Sequence, residues 1–527
     1  MINPWDQRLG FWWIADDQPD LAAILESPDG PRTYGELAGD AHQLVHLFRS
    51  LGAGDGAGDG NGDGDAVGVM VDNGNTLIET SLACQESGLH FIPLNTHLTA
   101  GELAAIIDHS RAKVLVIGER FASLLAGLDA ERLGVKVLAV GNIPGVTSLA
   151  EARAGHLRST PTHRRPGGLF VYTSGTTGKP KGIRRPIPAG DVGQIANDGA
   201  LFSRAFDFRP FEGPMLVSTG MFHGGSHSYY MGGLHVGHSL VIMPKFEPER
   251  TLQLIQQYRV RTGYMVPTQF HRLLQLPQAV KDAYDVSSLH AIVHSAAPCP
   301  RLVKEQMMAW WGPVIWETYG GMEGAATIAK PHRWLEKPGT VGRAIKGMHL
   351  SILDDDGNPL PTGEVGHIYL DNGVGFSYHD DPEQTKSAFK GKRFSLGDMG
   401  YLDADGYLFI SDRAKDMIIT GGTNVYPAEI EAVLLQHPQV HDAGVIGIPD
   451  PDWGETIVAL VQLKPEFHGS EQLVTELLAF CKEHLASYKC PRRWEFRDDL
   501  PRTEAGKLYK RKIRDDYVAR LSQPEEA

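Results

Sequence analysis

Short apolar runs at 66–71, 114–117, 137–140, 170–173, 240–243 and 291–294 alternate with stretches whose apolar residues recur at helical spacing, as at 252–258 and 302–311. A brief run of aliphatic and aromatic residues suits a strand covered on both faces. A helix between two such strands is the crossover that parallel pairing needs. The alternation therefore predicts α/β layers with largely parallel sheets. A chain of 527 residues exceeds what one hydrophobic core supports, so at least two domains are expected.

A change of pattern near residue 412 predicts the boundary, giving domains at 1–412 and 413–527. Beyond it, 417–420 reads as a strand and 427–437 as a helix, with Pro427 suited to the first helical position. Ile430, Val433 and Leu434 share one face of that helix. Strands at 443–448 and 457–463 and a helix at 471–485 complete a small α+β unit. The insert at 51–65 is rich in Gly and Asp, too short to stack, and without a periodic apolar residue. It reads as a flexible surface loop rather than a calcium-binding repeat.

Composition excludes several classes. With 42% apolar and 22% charged residues the chain is an ordinary globular protein. Its formal charge of −14 argues against nonspecific binding to nucleic acid or to anionic membranes. Four cysteines, Cys84, Cys299, Cys481 and Cys490, show neither metal-type pairing nor disulfide-scaffold density. The first residues lack a signal-peptide layout, and no run of about 18 apolar residues appears. A cytoplasmic location is the expectation.

The strongest chemical signal is Tyr172-Thr173-Ser174-Gly175-Thr176-Thr177-Gly178-Lys179-Pro180-Lys181-Gly182, which follows the apolar run Leu169-Phe170-Val171. Backbone N–H groups, four hydroxyls and two lysines make such a loop a cradle for a strongly anionic group, and its glycines allow close backbone approach. It is not a Walker A loop, because Thr173 stands where the first glycine belongs and Pro180 follows Lys179.

This loop resembles the phosphate-binding signature of the adenylate-forming superfamily, which includes acyl-CoA synthetases, luciferases and peptide-synthetase adenylation domains. The resemblance recurs in order at Tyr319-Gly320-Gly321-Met322-Glu323, Gly397-Asp398 with Tyr401, Asp412-Arg413-Ala414-Lys415-Asp416, Gly421-Gly422 through Glu431, and Pro501-Arg502-Thr503-Glu504-Ala505-Gly506-Lys507. It covers essentially the whole chain. It implies a large N-terminal domain of layered α/β sheets and a small, mobile α+β C-terminal domain, with the active site between them.

The resemblance also implies roles for individual residues. Thr173, Ser174, Gly175, Thr176, Thr177, Gly178 and Lys181 match the positions that hold the ATP phosphates, with Thr173 and Lys181 also catalytic. Glu323 matches a catalytic Mg²⁺ ligand, with Thr173 beside it. Tyr319 matches the ring that stacks on the adenine, and Ala296 and Ala297 the small residues of the adenine pocket. Asp398 and Arg413 match the ribose and phosphate ligands. Lys507 matches the lysine that bridges carboxylate and α-phosphate, and Gly421 and Gly422 border the channel for CoA. Lys415 matches the hinge about which the C-terminal domain turns. His223 and Gly224 match the acyl site, near which Gly225, Gly232 and Gly233 would leave room, with His227, Tyr229 and Tyr230 as further lining. That room suggests a long-chain or bulky cyclic acid. Met322 departs from the usual Thr, and Ala505 from the usual Ser or Thr.

The implied activity is an ATP-dependent acyl-CoA ligase that works through an acyl-AMP, with ATP, Mg²⁺, CoA and a small carboxylic acid as partners. A stand-alone enzyme that loads a carrier protein and a catalytically weak nucleotide-binding regulator remain open. A homodimer is an open expectation.

Overall fold

The computed structural model describes residues 4–54, 65–173, 181–371, 373, 375–420, 423–502 and 508–521. Most of the Gly/Asp insert, 55–64, lies outside them. Three sheets organise the described residues, of fifteen, eight and five strands.

The eight-stranded sheet is parallel through Lys136–Val140, Ala112–Gly118, Ala66–Met70, His90–Pro93 and Gly168–Thr173. Lys181–Arg184 then pairs antiparallel with Gly168–Thr173, and Ser377–Tyr378 adds antiparallel to Lys181–Arg184. Six strands of the fifteen-stranded sheet are likewise parallel, Ala22–Glu26, Leu240–Ile242, Met215–Val217, Thr262–Met265, Ala291–His294 and Ile315–Gly321. From Ile315–Gly321 onward the pairing reverses, through Gly324–Ala329, Gly342–Ala344, Tyr407–Arg413, Asp398–Leu402 and Gly366–Asp371.

The expectation of largely parallel sheets is thus corrected for the second half of this sheet. The cause is the connections. Ile315–Gly321 and Gly324–Ala329, and likewise Asp398–Leu402 and Tyr407–Arg413, are joined by short turns, and a short turn permits only antiparallel neighbours. One two-residue turn has Met322 and Glu323 at its tip, between paired Gly321 and Gly324.

One core fills the space between the two large sheets. It joins Val67 and Val69 of one sheet to Val217, Leu240 and Val293 of the other through the helices Tyr34–Ser50, Asn75–Ser87 and Gly224–His235. A local signal starts the first of these helices. Thr33 accepts from the Glu36 N–H while Glu36 accepts from the Thr33 N–H, a reciprocal cap worth about 1 kcal/mol. Thr99 and Glu102 repeat the device for Ala100–Ser110.

The third sheet is built from the long hairpin Val440–Asp450 and Gly454–Leu463 with Ile418–Thr420, Thr423–Val425 and Arg493–Phe496. Sheet membership changes between Arg413 and Ile418. Pro427 opens the helix Pro427–Leu434, and Ile430, Val433 and Leu434 are buried under it. The helix stops three residues short of 437. Pro438 disfavours helical backbone at His437, the last residue of the expected helix. The basic stretch from Lys510 starts a further helix, Lys510–Leu521, tied back by Lys510 Nζ to Glu431 at 2.8 Å.

Gly342 allows the second half of the large sheet to close. It has φ +101°, and a Cβ there would lie 2.1 Å from the Ile328 carbonyl carbon of the paired strand. Gly312, at φ +85°, has nothing within 4 Å of its Cβ position. Left-handed strain costs about 1–3 kcal/mol and overpacking a similar amount. Gly342→Ala is therefore expected to lower the urea midpoint by about twice as much as Gly312→Ala. Equal shifts would show that the Ile328 contact does not matter.

Candidate active site

The phosphate loop joins two antiparallel strands whose last and first residues, Thr173 and Lys181, are directly paired. Ser174, Gly175, Thr176, Thr177 and Gly178 lie outside the described residues, as does the Thr173 side chain. Lys181 and its surroundings are described. Its ammonium lies 5.6 Å above the Tyr378 ring, and the Gln384 amide oxygen accepts from it when the Gln384 NH₂ faces Asp381.

Tyr378 reaches this place because the two-residue strand Ser377–Tyr378 pairs with Lys181–Arg184, setting Tyr378 opposite Ile183. Its hydroxyl donates to Glu323 Oε1 at 3.1 Å. Glu323 is carried at the tip of the Met322–Glu323 turn. Arg185 grips that turn by donating from Nε and Nη2 to the Met322 carbonyl at 2.9 and 2.6 Å. A lysine, a phenol and a carboxylate from three separate stretches therefore meet beside the loop.

Tyr378, Arg185 and Gln384 are the residues that sequence reasoning missed. No motif announces them: Tyr378 is placed by the pairing of its short strand, Gln384 by the helix Pro382–Ala388 that follows, and Arg185 by its place just after the strand Lys181–Arg184.

A second cluster sits further along the Ile315–Gly321 strand. Tyr319 donates through its hydroxyl to Asp398 Oδ2 at 2.8 Å, and Arg413 Nε lies 3.3 Å from Asp398 Oδ1. Asp398 and Arg413 are direct partners in the hairpin register, so their 15-residue spacing brings them face to face. Burial raises the Tyr319 phenol pKa, and the adjacent Asp398 charge raises it further, so the phenol stays a donor. A carboxylate has about four lone-pair sites, enough to serve these partners and still accept from sugar hydroxyls.

Ala296 and Ala297 follow directly on the strand Ala291–His294, which is parallel to Ile315–Gly321. The 296–297 segment leaves the sheet, and Tyr319 extends past the last parallel pair, His294 with Glu317, at the C-terminal edge where open α/β sheets take their ligands. Ala296 has φ +74°, an uncommon conformation for a side-chain-bearing residue and a mark of local constraint.

His223 is the N-cap residue of the helix Gly224–His235, and Gly224 lies against the Met322–Glu323 turn. A Cβ on Gly224 would lie 2.5 Å from Met322 Sδ. The expected room around the glycines is corrected here, because side chains fill it. Tyr264 Oη would lie 3.0 Å from a Cβ on Gly225, Ser203 Oγ 2.6 Å from one on Gly232, and Met215 Sδ 2.8 Å from one on Gly233. His227 and Tyr230 are buried in the core, with Ser81 Oγ 2.7 Å from His227 Nε2. Tyr229 stacks on Tyr264 at 4.5 Å. These glycines serve close packing of the helix.

Gly421, Gly422 and Lys507 lie outside the described residues. Their flanks are ordered by pairing. Thr420 faces Thr423, and Arg502 makes two 2.7 Å contacts to the Asp442 carboxylate just before the Lys507 segment. Lys415 lies between the last strand of the large sheet and the first of the small one. Beside it, Asp412 Oδ2 accepts from the Ala428 N–H at 2.8 Å, linking the large sheet to the helix Pro427–Leu434.

Among the described residues no three His, Cys, Asp or Glu side chains gather as a metal site. A single carboxylate such as Glu323 suits Mg²⁺, which is held by one or two carboxylates together with substrate phosphates.

Comparison with known proteins bears on this geometry. The model of the AMP-binding enzyme family matches residues 11–375, and that of the AMP-binding enzyme C-terminal domain matches 429–507. The chain is 30% identical to a long-chain-fatty-acid–CoA ligase, FadD13, of Mycobacterium tuberculosis over 511 residues, covering 95% of this chain and 96% of the relative. It is 31% identical to an indoleacetate–CoA ligase of Aromatoleum aromaticum, covering 96% and 98%. The ATP-bound structure of MatB from Rhodopseudomonas palustris superimposes with a TM-score of 0.84 at 29% identity, over 96% of this chain and 98% of that one. With its two-sheet body, its small C-terminal unit and the order of its motifs, the chain belongs to the AMP-binding enzyme family.

Proposed function

We propose that this chain is an ATP-dependent acid–thiol ligase that activates a carboxylic acid as its acyl adenylate and then forms the CoA thioester. The observation that carries the reading is the meeting of Lys181, Tyr378 and Glu323 beside the phosphate loop, with Tyr319, Asp398 and Arg413 further along the same strand edge. Relatives named as CoA ligases for long-chain fatty acids, 2-succinylbenzoate and indoleacetate support an acid with a substantial apolar part.

In the first step a carboxylate oxygen attacks the α-phosphorus of ATP. The bond to the β-phosphate oxygen breaks, and pyrophosphate leaves with the electron pair. Two anions must meet, so the site has to supply positive charge and oriented dipoles where negative charge builds. Lys181 and the loop N–H groups take the outgoing phosphates, and Lys507 bridges carboxylate and α-phosphate. Asp398 and Arg413 hold the ribose, and Tyr319 lies against the base. Mg²⁺ held by Glu323 would neutralise the phosphate oxygens. Tyr378 orients that carboxylate.

In the second step the CoA sulfur, having lost its proton, attacks the acyl carbonyl, and AMP leaves with the electrons of the C–O bond. The pantetheine arm passes Gly421 and Gly422. Rotation about Lys415 exchanges Lys507 for that channel between the steps. The free cysteines, of which Cys84, Cys481 and Cys490 are buried, and the reaction's substrates fit a cytoplasmic enzyme.

Exchange of labelled pyrophosphate into ATP that depends on an added acid, together with CoA-dependent AMP release, tests the whole reading. A protein that binds ATP but shows neither would be a nucleotide-binding module.

Three variants test its parts. Asp398→Ala removes a charged hydrogen bond to each ribose hydroxyl, about 1.5–3 kcal/mol per bond, so the KM for ATP should rise at least about tenfold while the KM for the acid holds. An unchanged KM for ATP removes Asp398 from the site. Tyr378→Phe keeps the ring under Lys181 and loses the bond to Glu323. Because that bond is partly exposed to solvent, about 1 kcal/mol is expected, seen as a roughly fivefold higher Mg²⁺ requirement for pyrophosphate exchange. Unaltered Mg²⁺ dependence would show that Tyr378 does not act on the carboxylate. Lys507→Ala should abolish adenylation yet still convert supplied acyl-AMP to the thioester. Equal loss of both steps would sink the two-orientation scheme.

A further inference from the structure

One charged group stands apart from the chemistry above. Lys304, on the helix Arg301–Trp311, is fully buried, yet ammonium groups are almost never found without water unless paired. Its Nζ donates to Glu317 Oε2 at 2.6 Å and lies 4.6 Å from the Trp334 ring. The same Glu317 oxygen is 3.5 Å from His294 Nε2, and His294 is fully buried too. Burial alone would raise the Glu317 pKa, but Lys304 and His294 outweigh it and hold the carboxyl down at about 2. Burial lowers the His294 pKa, while the Glu317 charge beside it acts in the opposite sense.

The position of this cluster gives it a consequence. His294 ends its strand, and Ser295, Ala296 and Ala297 follow at once. Glu317 is the register partner of His294 on the next strand, and Tyr319, two residues on, lies on the same face of that strand. Glu317 therefore sits at the root of both segments assigned to the adenine. A buried ion pair is a poor source of net stability, because desolvation offsets most of the attraction. What it does impose is geometry, since a 2.6 Å charged contact tolerates little displacement.

The geometry points to Lys304 as a positioning residue for the nucleotide base. By clamping Glu317 against the end of the His294 strand, it sets the separation between the 295–297 segment and Tyr319. This inference rests on the adenine assignment of those segments, so the test separates the two.

AMP and pyrophosphate are both products of the proposed reaction, and only AMP carries the base. Calorimetric AMP binding and inhibition by pyrophosphate are measured on the native protein, on Lys304→Met and on Lys304→Met/Glu317→Leu. In Lys304→Met, AMP should bind about tenfold more weakly, with pyrophosphate inhibition within about twofold of native. The double variant removes both buried charges together and should recover the melting temperature. Its AMP affinity should stay about tenfold low, because the clamp is still missing.

Recovery of AMP binding along with melting temperature would make the pair merely structural and overturn the inference. Unchanged AMP binding in both variants, or equal loss of AMP and pyrophosphate, would overturn it as well. If Lys304→Met does not fold, the double variant decides alone by the same criteria. Failure of the native protein to bind AMP would remove the adenine assignment itself, and the inference with it.

Discussion

The strand Ile315–Gly321 is the member on which the site depends, because it is where the large sheet changes from parallel to antiparallel pairing. A strand with a parallel neighbour presents its C-terminal end at an edge free of crossovers, and one with an antiparallel neighbour ends in a tight turn. This strand does both. Within seven residues it delivers Glu317 to the buried cation, Tyr319 to Asp398, and the Met322–Glu323 turn to Arg185 and Tyr378. Glu317 is paired to a neighbouring strand on both sides and Tyr319 on one, which holds these two side chains in register. The spacing of the two clusters is thereby a property of the sheet rather than of a loop.

Net charge makes that rigidity useful. At −14 the protein as a whole repels a polyphosphate, so local cations have to outweigh the global field. They are not left to find the ligand on flexible stems. Lys181 is flanked by a ring and an amide, and Arg413 is paired in register with Asp398. Oriented charges of this kind cost little reorganisation when a phosphate arrives.

Much of this was readable in the residues. The runs at 114–117, 137–140 and 291–294 became strands, and the face of Ile430, Val433 and Leu434 was buried as its helical spacing implied. Asp398, Arg413, Tyr319 and Glu323 were legible because their motifs are local. The antiparallel half of the sheet was not, since strands such as Ser377–Tyr378 and Gly342–Ala344 are too short to carry a period. Tyr378 and Lys304 were invisible for a related reason. Their roles come from pairings across 55 and 13 residues, where nothing in the local pattern differs from an ordinary tyrosine or lysine. The glycines of the Gly224–His235 helix misled in the opposite sense. A missing side chain was read as space, but in a close-packed interior a neighbour's atoms occupy it.

Among the described residues, polar contacts join the large sheets to the small unit. Gln275 Nε2 lies 2.9 Å from both His271 Nε2 and His441 Nδ1, Asp412 accepts from Ala428, and Lys510 meets Glu431 near the carboxylate of Asp412. Hydrogen bonds of this kind are exchanged for water at a net cost of about 1 kcal/mol each, so an interface made of a few of them can separate and re-form readily. An apolar interface of similar size would be held by burial that water cannot replace. The cores fit this division, because the apolar residues of the small unit, such as Val445, Ala459 and Leu477, pack among themselves. A unit with its own core and a polar seam, joined through Lys415, is mechanically suited to the turn that the proposed two-step reaction requires.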